Sequence, residues 1–260
     1  MATAPQTPQL PVFYKDLIPL NSRDHATWHS KKTDKATWLA NQHAVPLTVE
    51  EFAQAQRHFP IIFSAGSDPV PLALMGMNEG INVFAKDDGA LPSPFYVPAY
   101  ARRYPFILAK ITPEASELSL CFDPSTDLVG DFAEGEALFE GAAPSEACKA
   151  TLNFCEQFEV AGQKTTAFIA ELTKHDLLMD GEVTIQRGSD EKPFVYRGFQ
   201  MVNETKLREL RGDVLRTWNQ NGLLSLIFAH LHSLELLRDI FERQVQLGKG
   251  QVEARQLEQA

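Results

Sequence analysis

Short runs of apolar and β-branched residues, separated by turn-forming residues, fill the chain between positions 61 and 123. Such runs are typical of strands that are at least half buried in a sheet. The glycine, asparagine, aspartate and proline residues between them provide the backbone conformations that tight turns need. The pattern predicts five strands, within residues 61–65, 70–77, 81–86, 106–111 and 117–123.

Apolar positions spaced three and four residues apart predict long helices in the second half of the chain. Ser145 can cap a helix that continues to about Lys174. Its apolar or small residues predict a single buried face, formed by positions 148, 152, 155, 158, 162, 165, 169 and 172. Gly162 lies on that face, where the missing side chain predicts the close approach of another element.

Three further features define the remaining elements. Thr48 and Glu51 fit a capping box, which predicts a helix from there to about Arg57. Residues 182–187 and 194–202 predict a hairpin across the turn 188–193. Asn203 can cap a helix that Asn221 and Gly222 separate from a last helix at about 223–244.

Strands before residue 123 and helices after 145 predict an α+β fold. We expect a single domain over residues 11–245, in which a mostly antiparallel amino-terminal sheet packs against long carboxy-terminal helices. The segments 1–10 and 246–260 are predicted to be flexible tails.

The chain has 260 residues and a formal charge of −10, with 34 acidic and 24 basic side chains. This balance argues against a general nucleic-acid-binding protein, which needs a net basic surface. No apolar run reaches the length of a membrane span, and no signal peptide is visible at the amino end. These features predict a cytoplasmic protein, with signal-less export to the cell surface left open.

The three cysteines are odd in number and lack CxxC spacing. If Cys148 and Cys155 share a helix, about 10 Å separates them, which is too far for a disulfide. Reduced thiols, as found in the cytoplasm, are the simplest interpretation. The sequence therefore predicts that Cys121, Cys148 and Cys155 are all free.

The sequence has no phosphate-binding loop, no dinucleotide-binding glycine motif, no HExxH and no GxSxG. Catalytic residues therefore stay unknown, and no cofactor is predicted. The acidic residues between 123 and 136 do not follow the spacing of a calcium loop, and we interpret them as a solvated surface. No metal site is predicted.

His230 and His232 lie two positions apart, on opposite sides of the last predicted helix. They cannot share one metal ion there. His230 falls on the apolar side, which indicates a core histidine bonded to a backbone carbonyl or a carboxylate. The alternative is a role as general acid or base or as a ligand-binding residue.

The stretch "SPFYVPAYARRYPF", residues 93–106, concentrates aromatic side chains and the adjacent arginines of the chain. In a structural interpretation, Pro98 starts a short helix on which three tyrosines recur every four residues, and the arginines pair with surface acids. In a functional interpretation, the tyrosines line a cleft and the guanidinium groups bind a carboxylate or a phosphate. The candidate binding residues are Tyr96, Tyr100, Arg102, Arg103, Tyr104 and His230.

The chain resembles the bacterial SapC family. The resemblance is carried by "PVFYKDLIPLN", "HAVPLTVEEFAQAQRHFPIIFS", "YVPAYARRYPFILA", "CFD" and "GLLSLIFAHLHSL", which span residues 11 to about 240. It implies an association with bacterial surface layers or with loci for outer-membrane uptake receptors and flavin-dependent halogenases. It carries over no catalytic residue, and the peptide-transporter permease that shares the name is not similar.

Together these observations predict a binding or accessory protein that holds a peptide or protein partner through the aromatic and arginine-rich stretch. The alternative is an enzyme for a small acidic or aromatic substrate, in which an arginine binds the anion and His230 transfers protons. A third class, a structural array protein, predicts self-assembly. The oligomeric state stays unknown.

Overall fold

The computed structural model of the protein describes residues 10–112, 114–186 and 193–249. Its strands are β1 (Ile18–Pro19), β2 (His29–Ser30), β3 (Ala44–Pro46), β4 (Ile61–Ser64), β5 (Pro71–Leu74), β6 (Phe106–Ala109), β7 (Ser119–Phe122), β8 (Val129–Gly130), β9 (Glu136–Ala137), β10 (Phe139–Glu140), β11 (Ala143–Pro144), β12 (Leu178–Ile185) and β13 (Phe194–Val202). Its α-helices are α1 (Phe52–Ala55), α2 (Ala99–Arg102), α3 (Glu146–Lys174), α4 (Glu204–Arg208), α5 (Gly212–Gln220), α6 (Leu223–Ser233) and α7 (Leu236–Gln246). Two short 3-10 turns cover Thr37–Leu39 and Val49–Glu51.

The residue contacts divide the described chain into two compact units. Unit 1 contains the residues up to Asp34 together with Arg103–Glu159, and unit 2 contains Lys35–Arg102 and the residues from Val160 onward. The single domain predicted for residues 11–245 stays a prediction. The predicted tails lie outside the described residues except for residue 10 and residues 246–249.

Unit 1 is built from small antiparallel sheets. β7 lies between β1 and β6, and β2 lies between β8 and β9, while β10 pairs with β11. Phe106, Phe122 and Leu138 form the main core of this unit with Cys155 from the first half of α3. The strands predicted at 106–111 and 117–123 therefore lie with β1 in one sheet, separate from the sheet that contains the earlier predicted strands.

Unit 2 contains a five-stranded antiparallel sheet in the order β12-β13-β4-β5-β3. The predicted hairpin is confirmed as β12 and β13, although its turn lies outside the described residues. Phe199 of β13 pairs with Ser64 of β4, which joins the late hairpin to the early strands. Leu237, Ile240 and Phe241 of α7 pack against this sheet. The predicted α+β fold, with antiparallel sheet and carboxy-terminal helices, is therefore correct.

The strand predicted at residues 81–86 is absent, because the side chain of Asn82 competes for the backbone. Asn82 is completely buried, and its Oδ1 accepts hydrogen bonds from the backbone N–H groups of Phe84 and Ala85, both at 2.8 Å. Its amide group also donates to Leu39 O at 2.9 Å. A side chain that bonds its own backbone in this way favours a turn over a ladder.

The helix predicted from Asn203 and the last predicted helix are each divided in two. Asn203 caps α4 by accepting the Lys206 N–H at 3.1 Å, but Arg211 then adopts an extended backbone before α5 begins. α6 ends at Ser233, whose hydroxyl donates to His230 O at 2.6 Å. Such a bond from a serine side chain to a preceding carbonyl loosens a helix.

Helix α3 confirms the Ser145 cap but not the single buried face. Cys148 N–H donates to Ser145 Oγ at 3.1 Å, and the helix ends at Lys174 as predicted. The first half buries Cys148 and Cys155, whereas the second half buries Ala161, Thr165, Phe168 and Leu172. Each residue of an α-helix turns by about 100°, so the buried side chains of the second half lie about 120° around the helix axis from those of the first half.

The predicted close approach at Gly162 is wrong. A methyl group added there would meet no other described atom within 4 Å, apart from the local helix backbone. Nearby, Thr165 Oγ1 accepts the Val49 N–H at 3.0 Å, and the Phe168 ring lies 5.8 Å from the ring of Phe52. These neighbours show which side of the second half of α3 packs inside unit 2.

All three cysteines are free and buried, and Cys148 and Cys155 share α3 as predicted. Within the part of the chain that the structure describes, none of the helices combines the length and the apolar character that crossing a membrane requires. In the same part, no three His, Cys, Asp or Glu side chains are grouped as ligands for a metal ion.

Candidate functional site

The buried carboxylate of Glu51 holds the candidate site together within unit 2. Its Oε2 accepts hydrogen bonds from the N–H and the hydroxyl of Thr48, at 2.9 and 3.0 Å, which completes the predicted capping box. Its Oε1 accepts the Tyr96 hydroxyl at 2.9 Å and the Ala99 N–H at 2.6 Å. Glu51 is only 5% exposed, so these four donors replace the water that a buried carboxylate loses.

The predicted short helix after Pro98 exists as α2, but it is one turn long. Tyr96 precedes it and Tyr104 follows it, so the prediction that three tyrosines recur along one helix is wrong. Tyr100, inside α2, is buried. The indole N–H of Trp38 donates to Ala101 O at 3.1 Å and holds the turn from another side.

Tyr96 is half buried, and Arg102 is exposed at the end of α2. Burial, together with the negative charge of Glu51, raises the pKa of the Tyr96 phenol well above its ordinary value. Tyr96 is therefore a neutral hydrogen-bond donor that positions the segment. Arg102 is exposed, and its Nε donates to Val97 O at 3.1 Å while its guanidinium lies 5.9 Å from the centre of the Tyr96 ring.

A cleft of about 260 Å³ lies beside the residues that precede Tyr96. The rings of Phe84 and Phe95 form one wall, with their centroids 5.1 Å apart. The guanidinium of Arg243 lies over Phe84 at 4.7 Å from the ring centre. Arg57 and Asp239 also line the cleft, which therefore combines an aromatic wall with charges of both signs.

His58 connects the cleft with the tyrosine segment. Its ring lines the cleft and lies nearly parallel to the ring of Tyr96, with centroids 6.3 Å apart. It also meets the edge of Phe95 at 5.9 Å. The cleft and the side chains held by Glu51 thus form one continuous aromatic cluster.

Arg103 and Tyr104, the other two members of the stretch, belong to unit 1. The side chain of Arg103 is only 5% exposed, with its guanidinium 4.2 Å from the centre of the Phe158 ring and 3.5 Å from Glu159 Oε1. Burial and the nearby charge of Asp123 raise the pKa of Tyr104, whose hydroxyl lies 3.5 Å from that carboxylate. In the described structure both side chains support the fold of unit 1.

The composition of the loop after Asp123 predicts a solvated acidic surface, but Asp123 does not belong to one. Its side chain is completely buried and accepts the N–H groups of Lys15 and Ser125, both at 2.8 Å. Asp123 is recognised as a structural residue by its contact with Lys15. This contact is long-range, since Lys15 lies 108 positions away in the chain.

His230 is a buried core histidine, as its position on the apolar side of the helix predicted. Its Nδ1 lies 2.7 Å from Ile61 O, and its Nε2 accepts the Val202 N–H at 3.1 Å. This assigns the ring hydrogen to Nδ1. Burial lowers the pKa of His230 to about 4, so the ring is neutral at physiological pH.

The structure thus places the six predicted binding residues in different surroundings. Tyr96 and Arg102 lie next to each other at the edge of the aromatic cluster, whereas Tyr100 and His230 are buried elsewhere in unit 2. Arg103 and Tyr104 are positioned by unit 1. The assignment of these residues to binding stays a prediction.

Sequence reasoning missed most residues of the cleft. The sequence pattern places Phe84 in a strand and indicates Glu51 only as part of a helix cap. Asp239 and Arg243 lie four residues apart and therefore share one face of α7, which the charge pattern of that helix indicates. Their proximity to Phe84 and Phe95 depends on tertiary structure and leaves no signal in a single sequence.

The fold and the site define a mixed α+β protein with a cleft of aromatic and arginine side chains. A family model described as SapC matches residues 20–240 of the chain. The protein therefore belongs to the SapC family. No curated protein and no solved structure matches the chain.

Proposed function

We propose that this protein is a binding or accessory protein that holds a peptide or protein partner at the cleft and at the exposed side of the segment from Pro92 to Arg102. The observation that carries the proposal is the accessible aromatic and guanidinium surface that Glu51 holds in place. Aromatic and arginine side chains contribute most of the binding free energy at many protein interfaces. A surface that is already ordered loses little conformational entropy on binding.

Two further features support the proposal over the enzymatic alternative. Both ring nitrogens of His230 are engaged with the backbone inside the core. A general acid or base must come within hydrogen-bond distance of a substrate atom. Membership of the SapC family supports a partner from surface-layer or outer-membrane uptake systems, and the free cysteines support a cytoplasmic location.

Native mass spectrometry of the protein purified from its own host tests this proposal. We expect a bound peptide or protein of defined mass on the wild-type chain. That species should be reduced in the Arg102→Ala and Phe95→Ala variants and retained in Arg216→Ala, which changes an exposed arginine on α5. The proposal fails if no bound species is detected, or if all variants retain it equally while their thermal melts show that they are folded.

A further inference from the structure

The apolar side of the cleft is suited to one aromatic or large aliphatic side chain. Phe84 and Phe95 present tilted rings, and Pro94 and Ile240 line the same space. Aromatic rings favour such tilted and edge-on arrangements, and the buried ring of Phe59 already packs edge-on against both. An aromatic group of a ligand can pack in the same way from the cleft. The volume of about 260 Å³ lies just below the ordinary range for small-molecule pockets, so it fits about one residue.

The cleft also has two guanidinium groups without a carboxylate partner among the described residues, and that of Arg243 lies over the Phe84 ring. Neither Arg57 nor Arg243 forms an ion pair there, although the chain carries 34 acidic side chains. Arg197, Arg208 and Arg238 of the same unit each contact a carboxylate at 2.7 to 3.0 Å. Arg57 and Arg243 differ from these three in lining one cleft, and guanidinium groups bind carboxylates through charge-assisted hydrogen bonds.

Asp239 adds one acceptor to the same cleft. It lies one turn before Arg243 on α7, and it also has no ion pair within residues 10–112, 114–186 and 193–249. A carboxylate in this position repels ligands with several negative charges and accepts a hydrogen bond from an N–H group. A ligand that complements all these side chains carries an N–H group, a carboxylate and an aromatic group. An aromatic residue at the carboxy terminus of a peptide has all three.

We propose that the cleft recognises the carboxy-terminal residue of a peptide, with an aromatic side chain against Phe84 and Phe95 and the terminal carboxylate between Arg57 and Arg243. This inference rests on the proposed function and specifies the chemistry of the partner. Asp239 accepts the N–H group of the terminal residue. A free aromatic amino acid carries the same groups, with an ammonium in place of the amide N–H.

Calorimetric titration of the full-length protein with N-acetyl-phenylalanine tests this assignment. We expect saturable binding that weakens at least tenfold for N-acetyl-phenylalaninamide, because the amide lacks the negative charge that strengthens hydrogen bonds from guanidinium groups. N-acetyl-alanine should also bind at least tenfold more weakly, since it lacks the ring. Equal affinity for acid and amide, tighter binding of inorganic phosphate, or no binding of any probe overturns the proposal.

Variants locate the binding to this cleft. Arg57→Gln and Arg243→Gln should each weaken N-acetyl-phenylalanine about tenfold and leave the weak binding of the amide unchanged. Arg238→Gln is the matched control, because Arg238 lies on the same helix, pairs with Glu242 and does not line this cleft. A loss of affinity in Arg238→Gln as large as in Arg243→Gln overturns the assignment.

Two comparisons identify the source of the ligand and separate this inference from the proposed function. A tripeptide that ends in phenylalanine should bind more tightly than free phenylalanine if the ligand is a peptide terminus. Tighter binding of the free amino acid would overturn the peptide assignment. If a partner is found by mass spectrometry but none of these probes binds, the proposed function stands and this inference fails.

Discussion

The hydroxyl of Tyr96 donates a 2.9 Å hydrogen bond to Oε1 of Glu51, 45 positions earlier in the chain. The other oxygen of the same carboxylate completes the capping box with Thr48. One buried side chain therefore fixes both the start of a helical turn and the segment that borders the cleft. The stability of the protein and the order of its candidate site depend on the same residue.

Glu51→Ala should lower the free energy of unfolding by about 3 kcal/mol or more. The substitution leaves the N–H groups of Thr48 and Ala99 and the hydroxyl of Tyr96 without their acceptor, and each buried orphaned group costs about 1–3 kcal/mol. Urea unfolding measures the change. Glu50→Ala is the control, because this exposed neighbour pairs with Lys164 at the surface, and its loss should cost less than about 1 kcal/mol.

The two adjacent arginines should differ in their effect on stability. Arg103→Ala removes a buried guanidinium from the Phe158 ring, and we expect a loss of about 2–3 kcal/mol. Arg102→Ala removes an exposed side chain and should cost less than about 1 kcal/mol. Thermal melts of both variants check the order. A larger loss for Arg102→Ala would contradict the burial of Arg103.

His230 should make the protein less stable as the pH falls from about 6.5 to about 4. Its folded-state pKa of about 4 lies below the ordinary value of 6.5, so the unfolded chain binds the proton first. The contribution of the neutral His230 ring to stability is fully present above pH 6.5 and is lost through this window, by about 3 kcal/mol in all. Unfolding measured between pH 4 and pH 7 gives the slope.

A matched pair of variants assigns that slope to His230. His230→Gln should reduce it, since glutamine can donate and accept similar bonds but does not titrate here. His232→Gln should retain it, because His232 is exposed on the same helix. Burial also lowers the pKa of His43, so part of the wild-type slope should persist in both variants. An unchanged slope in His230→Gln would refute the assignment.

The three cysteines should react with a thiol reagent only after unfolding. All three are buried, and burial raises the pKa of the Cys155 thiol to about 11, which suppresses the reactive thiolate. Denaturation without reductant should expose three thiols per chain, and a colorimetric thiol assay counts them. A count of one would require a disulfide and would contradict the free cysteines of the structure.

Two glycine-to-alanine substitutions should change stability in opposite directions. Gly162→Ala adds a methyl group to a helix interior where, beyond the local helix backbone, no described atom lies within 4 Å, and we expect a gain of about 0.5–1 kcal/mol. At Gly181, a new Cβ would lie 2.2 Å from the buried ring of Phe199, and we expect a loss of about 1–3 kcal/mol. Urea unfolding measures both.

Local sequence predicted the features whose physical cause is also local. The capping box of Thr48 and Glu51, the cap at Ser145 and the hairpin of β12 and β13 each depend on residues close together in the chain. His230 was placed in the core because the helical period alone puts it on the apolar side. The α+β class follows from the same short-range patterns.

Only the tertiary structure determines which neighbours the side chains of these elements contact. α3 changes its buried face near residue 160, because its first half contributes Cys155 to the core of unit 1 and its second half packs Phe168 on Phe52 within unit 2. The buried side-chain amide of Asn82 stabilises a turn where the sequence pattern predicts a strand. The cleft joins Arg57, Phe95 and Arg243 from distant parts of the chain. Periodicity identifies which side of an element is apolar, but long-range packing determines which side chains it meets.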